Sequence, residues 1–217
     1  MKIRVKEGET YSGTSPLTPL HQVESGVTEQ FFELEANSHL DLVRISFGED
    51  DFKQSFEVVF LGEGASCNLQ FLDLAKNSRK LETIIKVKHN VPNCKSVQVH
   101  KGLYSDNSRG IFKAFIEVAK HALGTDASQL HRSLLLSPSA RVQAEPHLQI
   151  GADAVKCKHG ISIGQLDEKA LFYLKARGLD EQTAKRFLIQ GFAKEILEAI
   201  EDEKSRQELE QQVFAWI

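Results

Sequence analysis

The sequence predicts a mainly β protein: a solenoid of parallel strands followed by a C-terminal α-helical region. Three observations carry that expectation. Turn-like clusters recur about every 12 to 18 residues, among them Asn37-Ser38, Gly62-Glu-Gly64, Asn77-Ser78, Pro92-Asn93, Asp106-Asn107 and Gly124-Thr-Asp126. The segments between them are rich in Val, Ile, Leu and Phe and alternate as strands do. No helical period of useful length precedes about residue 165. A steady series of strands admits two architectures, an antiparallel sandwich or a parallel β-helix. A sandwich should show two-residue Asn-Gly or Asp-Gly hairpins, and neither dipeptide occurs. Small or polar corner residues and coils of roughly 25 to 30 residues favour the solenoid.

Each element can be justified in turn. The first 25 or so residues are expected to be irregular, with stacked coils from roughly residue 25 to 164. The clearest strands are His39–Phe47, Ser55–Phe60, Thr83–Lys88 and Gly110–Val118. The composition then changes, which divides the chain into a β region, 1–164, and a helical region, 165–217. Asp167 can cap a helix running to about Arg177, with Gly178 as the residue that ends it. Asp180 can cap a second, whose apolar positions Ala184, Phe187, Leu188, Gly191, Phe192, Ile196 and Ile200 follow helical spacing. A polar tail, Glu201 to Gln212, ends in Val-Phe-Ala-Trp-Ile217. These helices can be read as a plug for the end of the solenoid. The run Leu171-Phe172-Tyr173-Leu174, however, points large apolar groups more than halfway round its helix, which suits a protein partner.

Composition narrows the function. The chain has 217 residues, 41% hydrophobic and 26% charged, which excludes disordered and disulfide-dense classes. A net charge of −3 gives no general attraction to phosphate, so neither nucleic acid nor an anionic membrane is expected as a partner. No apolar run approaches the roughly 20 residues of a spanning helix, and no signal-peptide core is visible at the start. Three widely spaced cysteines, Cys67, Cys94 and Cys157, suit reduced thiols, and a cytoplasmic location is expected.

Few motifs carry chemistry. Gly160-Ile-Ser162-Ile-Gly164 matches the nucleophile elbow formally, yet no histidine follows it to complete a triad. It is expected to be the last strand and its exit. There is no G-x-x-x-x-G-K-[ST], so ATP should not be bound by a P-loop here. Cys157-Lys-His159 is different. Two residues apart in a strand, the thiol and the imidazole share one face, and together they suit iron or zinc. Nearby lysines could lower the thiol pKa. The alternative is a small buried cysteine beside a hydrogen-bonded histidine.

These residues belong to a longer pattern. The stretches Ser133–Ala140, Leu148–Gly160 and Ile163–Gly178, with His89–Ser96 and Ser108–Phe112 upstream, resemble the SufB/SufD family of SUF iron–sulfur cluster assembly scaffolds, on its SufD side. The resemblance spans about residues 80 to 200. It implies a right-handed parallel β-helix followed by C-terminal helices, and a scaffold rather than an enzyme. It also implies pairing with a SufB-type protein as a heterodimer, or with itself as a homodimer, and docking of a SufC-type ATPase. ATP would then belong to SufC, and Leu171, Phe172, Tyr173, Arg177, Phe187 and Phe192 would meet it. By the same resemblance His159 falls on the histidine implicated in cluster assembly, with Cys157 two before it, so iron or a transient iron–sulfur cluster is expected at a shared interface. SufB carries an essential cysteine one strand earlier; the matching segment here, Leu136–Arg141, has none. Family members are usually about twice this length, so the resemblance concerns their C-terminal half.

Overall fold

A computed structural model describes residues 2–14 and 26–217. Among the described residues, twelve strands form two six-stranded sheets. One contains β1 (Lys2–Val5), β3 (Gly26–Leu34), β5 (Phe52–Phe60), β7 (Lys80–His89), β9 (Arg109–Val118) and β11 (Arg141–Ile150). The other contains β2 (Thr10–Thr14), β4 (His39–Ser46), β6 (Ser66–Ala75), β8 (Lys95–Tyr104), β10 (Asp126–Leu135) and β12 (Lys156–Gly164). Every strand pairs in parallel with the strand two further along the chain, so the backbone winds as a β-solenoid. Phe52 pairs with Leu81 and Leu81 with Gly110, each step advancing 29 residues. The sandwich alternative is thereby excluded. Of the first 25 residues, expected to be irregular, β1 and β2 already join the two sheets, and 15–25 lie outside the described residues.

The corners explain why no tight hairpin is needed. Asn37, Asn77, Asn93 and Asp106 adopt positive φ, the conformation their short side chains tolerate best. Gly64 and Gly124, also at positive φ, lie against the side-chain oxygens of Asn37 and Asn93, where an added Cβ would sit 2.5 and 2.2 Å away. Alternation then sends one face of each strand inward. Leu40, Leu42, Phe32, Phe56, Val58, Phe60, Leu69 and Phe71 form one buried cluster in the earlier coils.

Three helices follow: α1 (Glu168–Ala176), α2 (Glu181–Leu197) and α3 (Glu203–Trp216). Asp167, Asp180 and Asp202 cap them, accepting from the backbone N–H groups of Lys169, Thr183 and Ser205 at 2.8, 2.9 and 2.7 Å. The polar tail is therefore a third helix, which takes in the apolar end as far as Trp216. α2 and α3 lie on the outer face of the second sheet, against Val43, Ile45, Leu72, Leu74 and Leu103. They do not plug the solenoid. The buried stripe of α2 is Ala184, Ile189, Ala193, Ile196 and Leu197. Small Ala193 permits close approach to the sheet, while Phe187 turns to solvent. No helix among the described residues is long and apolar enough to cross a membrane.

Candidate functional site

The terminal coil is open. Among the described residues β11 bonds only to β9 and β12 only to β10, so each presents an unpaired edge. Cys157, His159, Ile161 and Ile163 of β12 continue the inward columns of Ala127, Gln129, His131 and Ser133. Those four β10 residues are buried, whereas Ile161 and Ile163 are about 40% exposed, at 42% and 39%. His159 is exposed as well, and among the described residues no hydrogen bond or ion pair engages its ring. The picture of a core histidine does not fit.

Cys157 is half-buried and in no disulfide among the described residues. Burial pushes its thiol above the ordinary value, and the charge of Asp126 adds to this, against a hydrogen bond from the Ala127 backbone. The expected lowering by lysines is absent, because Lys156 and Lys158 alternate to the other face of the strand. Cys157 and His159 share a face, as the spacing required. No group of three or more His, Cys, Asp or Glu side chains gathers as a metal site among the described residues. The pair is half of a coordination shell, and its exposed side is where further ligands could enter. Ser162 lies on β12, as the strand reading of the elbow motif required.

The segment Leu136–Arg141 is the corner between β10 and β11 together with the first residue of β11. Below it, the interior carries a polar chain that the sequence reading did not find. The Asp73 carboxylate meets His100 Nε2 at 2.8 Å, His100 Nδ1 meets His131 Nδ1 at 2.9 Å, and His131 Nε2 meets Ser133 Oγ at 3.0 Å. Thr83 donates to Asp73 at 2.7 Å, and Gln54 donates to Thr83 and Ser46. Burial works against the Asp73 charge, but His100 and these hydroxyls outweigh it and hold the carboxyl below its usual range. Burial, with His100 adding to it, pushes His131 down to about 3. These residues lie 27 and 31 positions apart (100−73, 131−100), and only alignment at the coil period brings them together.

The six residues expected on the helical surface divide. Phe172, Tyr173 and Phe187 are 74%, 57% and 62% exposed, and the Arg177 guanidinium stacks 5.0 Å from the Tyr173 ring. Leu171 instead lines a cleft of about 380 Å³ with Leu136, Pro138 and Ile189. Phe192 packs toward the solenoid, its ring 4.5 Å from Lys101 Nζ.

Fold and site together define a parallel β-solenoid flanked by helices, with an exposed imidazole and a thiol on its open end. The family described as "SUF system FeS cluster assembly, SufBD core domain" matches residues 22–192. The chain is 38% identical over 156 residues to "Iron-sulfur cluster assembly protein SufD" of Escherichia coli, which covers 72% of this chain and 36% of that protein. It is 37% identical over 177 residues to "Protein ABCI7, chloroplastic" of Arabidopsis thaliana, covering 81% of this chain and 37% of the relative. A SufBD family protein of Synechocystis is 32% identical over 163 residues, 75% of this chain and 36% of its own length. The chain belongs to the SufBD family and is of SufD type. It spans little more than a third of the length of these relatives.

Proposed function

We propose that this chain is a scaffold subunit for iron–sulfur cluster assembly, without an enzyme activity of its own. It pairs through its terminal coil with a SufB-type protein, or with a second copy of itself, and docks a SufC-type ATPase on α1 and α2. His159 and Cys157 supply part of the ligand set for iron or a transient cluster, which is cargo rather than a resident cofactor. The observation that carries this reading is an imidazole and a thiol side by side on a coil whose edge is unpaired. Such an edge can take up strands from a partner, and that partner can complete the ligand shell. Phe172, Tyr173 and Phe187 offer the ATPase an apolar contact beside Arg177. The sequence holds no P-loop, so the ATP in this reading is the partner's. A cytosolic compartment, or its plastid equivalent, suits reduced cysteines and a labile cluster.

The test is anaerobic reconstitution with ferrous iron and sulfide, on the chain alone and with SufB-type and SufC-type proteins. The expected result is a weak or absent cluster on the chain alone and a visible-absorbing cluster in the complex that depends on His159. A second reading, a structural β-helix that never binds iron, draws on the absence of a third ligand among the described residues. Cluster yield that ignores this subunit's ligands would establish that reading instead.

A further inference from the structure

Two amides inside the last coils have no partner. Gln98 on β8 and Gln129 on β10 are register neighbours, 1% and 3% exposed. Their four side-chain nitrogen and oxygen atoms meet no hydrogen-bond donor or acceptor among the described residues. Folded interiors rarely leave even one such atom unsatisfied, because its bonds to water have been given up for nothing. Here four lie side by side. The column they occupy begins apolar with Leu42 and Leu69, turns polar at Gln98 and Gln129, and emerges at exposed His159.

The opposite sheet changes at the same level. Its column runs Phe56, Ile85, Ala114, Pro146. Phe56 meets Phe71, two residues from Leu69, with ring centroids 4.8 Å apart, so the two columns face each other across the core. Along the glutamine pair the facing side chain shrinks, from Ile85 in the coil of Gln98 to Ala114 in the coil of Gln129. Unpaired amides and a smaller facing side chain thus occur together, and an interior water needs two to four polar partners and space for a probe-sized molecule.

We propose that Gln98 and Gln129 hold ordered water between the sheets of the last coils, in an internal hydration site that leads from the buried histidine chain to the terminal coil beneath His159. Gln129 is the neighbour of His159 across the β10–β12 ladder, and it lies two residues along β10 from His131. The amides offer both donors and acceptors and no charge, so the site takes water or a neutral molecule of similar size rather than an ion. His131, kept neutral by burial, supports the same preference. The hydration stands independently of cluster assembly; only its value to His159 rests on the scaffold reading above.

Oxygen-17 relaxation dispersion of water on the full chain tests this directly, comparing wild type with Gln98→Leu/Gln129→Leu. Wild type should show a contribution from long-lived internal water that the variant loses, while circular dichroism confirms that the variant is folded. If the leucine pair does not fold, Gln98→Met/Gln129→Met keeps the side-chain length and should lose the same contribution. An unchanged dispersion in a folded variant, or none in wild type, overturns the proposal. Because the measurement reads water and not iron, its failure would leave the assembly reading untouched, and failed reconstitution would leave the hydration site untouched.

Discussion

Lys101 and Glu195 join the solenoid to its helices. Lys101 stands on the outer face of β8, its side chain 2% exposed, and its ammonium donates to the Glu195 carboxylate and to the Phe192 carbonyl of α2. Burial lowers its pKa, and Glu195 opposes that. The residue beside it, His100, points the other way into the core toward Asp73. The contact with α2 therefore sits on the strand that carries His100, the middle member of the interior polar chain.

The first prediction follows from that contact. Lys101→Met keeps the packing stem but removes charged hydrogen bonds worth about 1.5 to 3 kcal/mol. Chemical denaturation should show a loss of that order. Limited proteolysis should release α2 and α3 before the coils are cut. If the coils are cut first, the lysine does not anchor the helices.

The second concerns acid. Burial lowers His89 to about 4 and His131 to about 3, whereas an unfolded histidine titrates near 6.5. Between those values the unfolded chain holds about two more protons than the native one. Stability should thus be level above pH 7 and fall as pH drops from 6.5 toward 4, at about 2.7 kcal/mol per pH unit. Asp73 acts in the same direction lower down: its depressed carboxyl stabilises above pH 3.8, and this is lost as pH falls through its folded value. Denaturation midpoints across pH 4 to 8 read the slope, and His131→Phe should reduce it by about half. A flat profile would mean that the two histidines are not held neutral.

Much of this fold is legible in sequence. The corners at Asn37, Asn77, Asn93 and Asp106 announce themselves because asparagine and aspartate accept left-handed backbone, and the Asp167 and Asp180 caps because a carboxylate satisfies orphan N–H groups. The shared face of Cys157 and His159 follows from period-two geometry alone. Three features do not follow. The outer apolar patch of Leu72, Leu74 and Leu103 interrupts alternation and marks where helices dock, but only knowledge of the register separates it from core. The Asp73–His100–His131 chain needs residues 27 and 31 apart to be stacked. The exposure of His159 needs more than the end of the β region at 164, which the sequence does indicate: it needs the edge of β12 to stay uncovered by the helices that follow, and the dipeptide spacing does not carry that.

The third prediction tests the helical surface. Phe172 and Tyr173 are solvent-exposed, and α1 buries no residue fully, so Phe172→Asp/Tyr173→Asp should leave melting temperature and circular dichroism unchanged. Placing two carboxylates in an apolar contact is costly unless they are paired, so affinity for a SufC-type ATPase should fall by more than roughly tenfold. Calorimetry with the purified ATPase reads this. Equal affinity would remove α1 from the docking surface.

The last prediction concerns His159. Its ring is exposed and makes no hydrogen bond or ion pair among the described residues, so His159→Ala should change stability by no more than about 0.5 kcal/mol. Alanine offers no lone pair to iron, and cluster yield per folded complex should drop sharply. His159→Cys should recover part of that yield, since a thiolate also binds iron, though it is shorter and negatively charged. Cys157→Ser, run in parallel, separates two roles for the neighbouring thiol. As a ligand, its loss lowers yield at unchanged stability. As packing against Ala127, its loss lowers the melting temperature first. Partial burial raises the Cys157 pKa, so any thiolate ligation should strengthen from pH 7 to 9, as more of the sulfur is deprotonated. Undiminished yield in folded His159→Ala complexes would remove this imidazole from the ligand set and leave the terminal coil as a pairing surface alone.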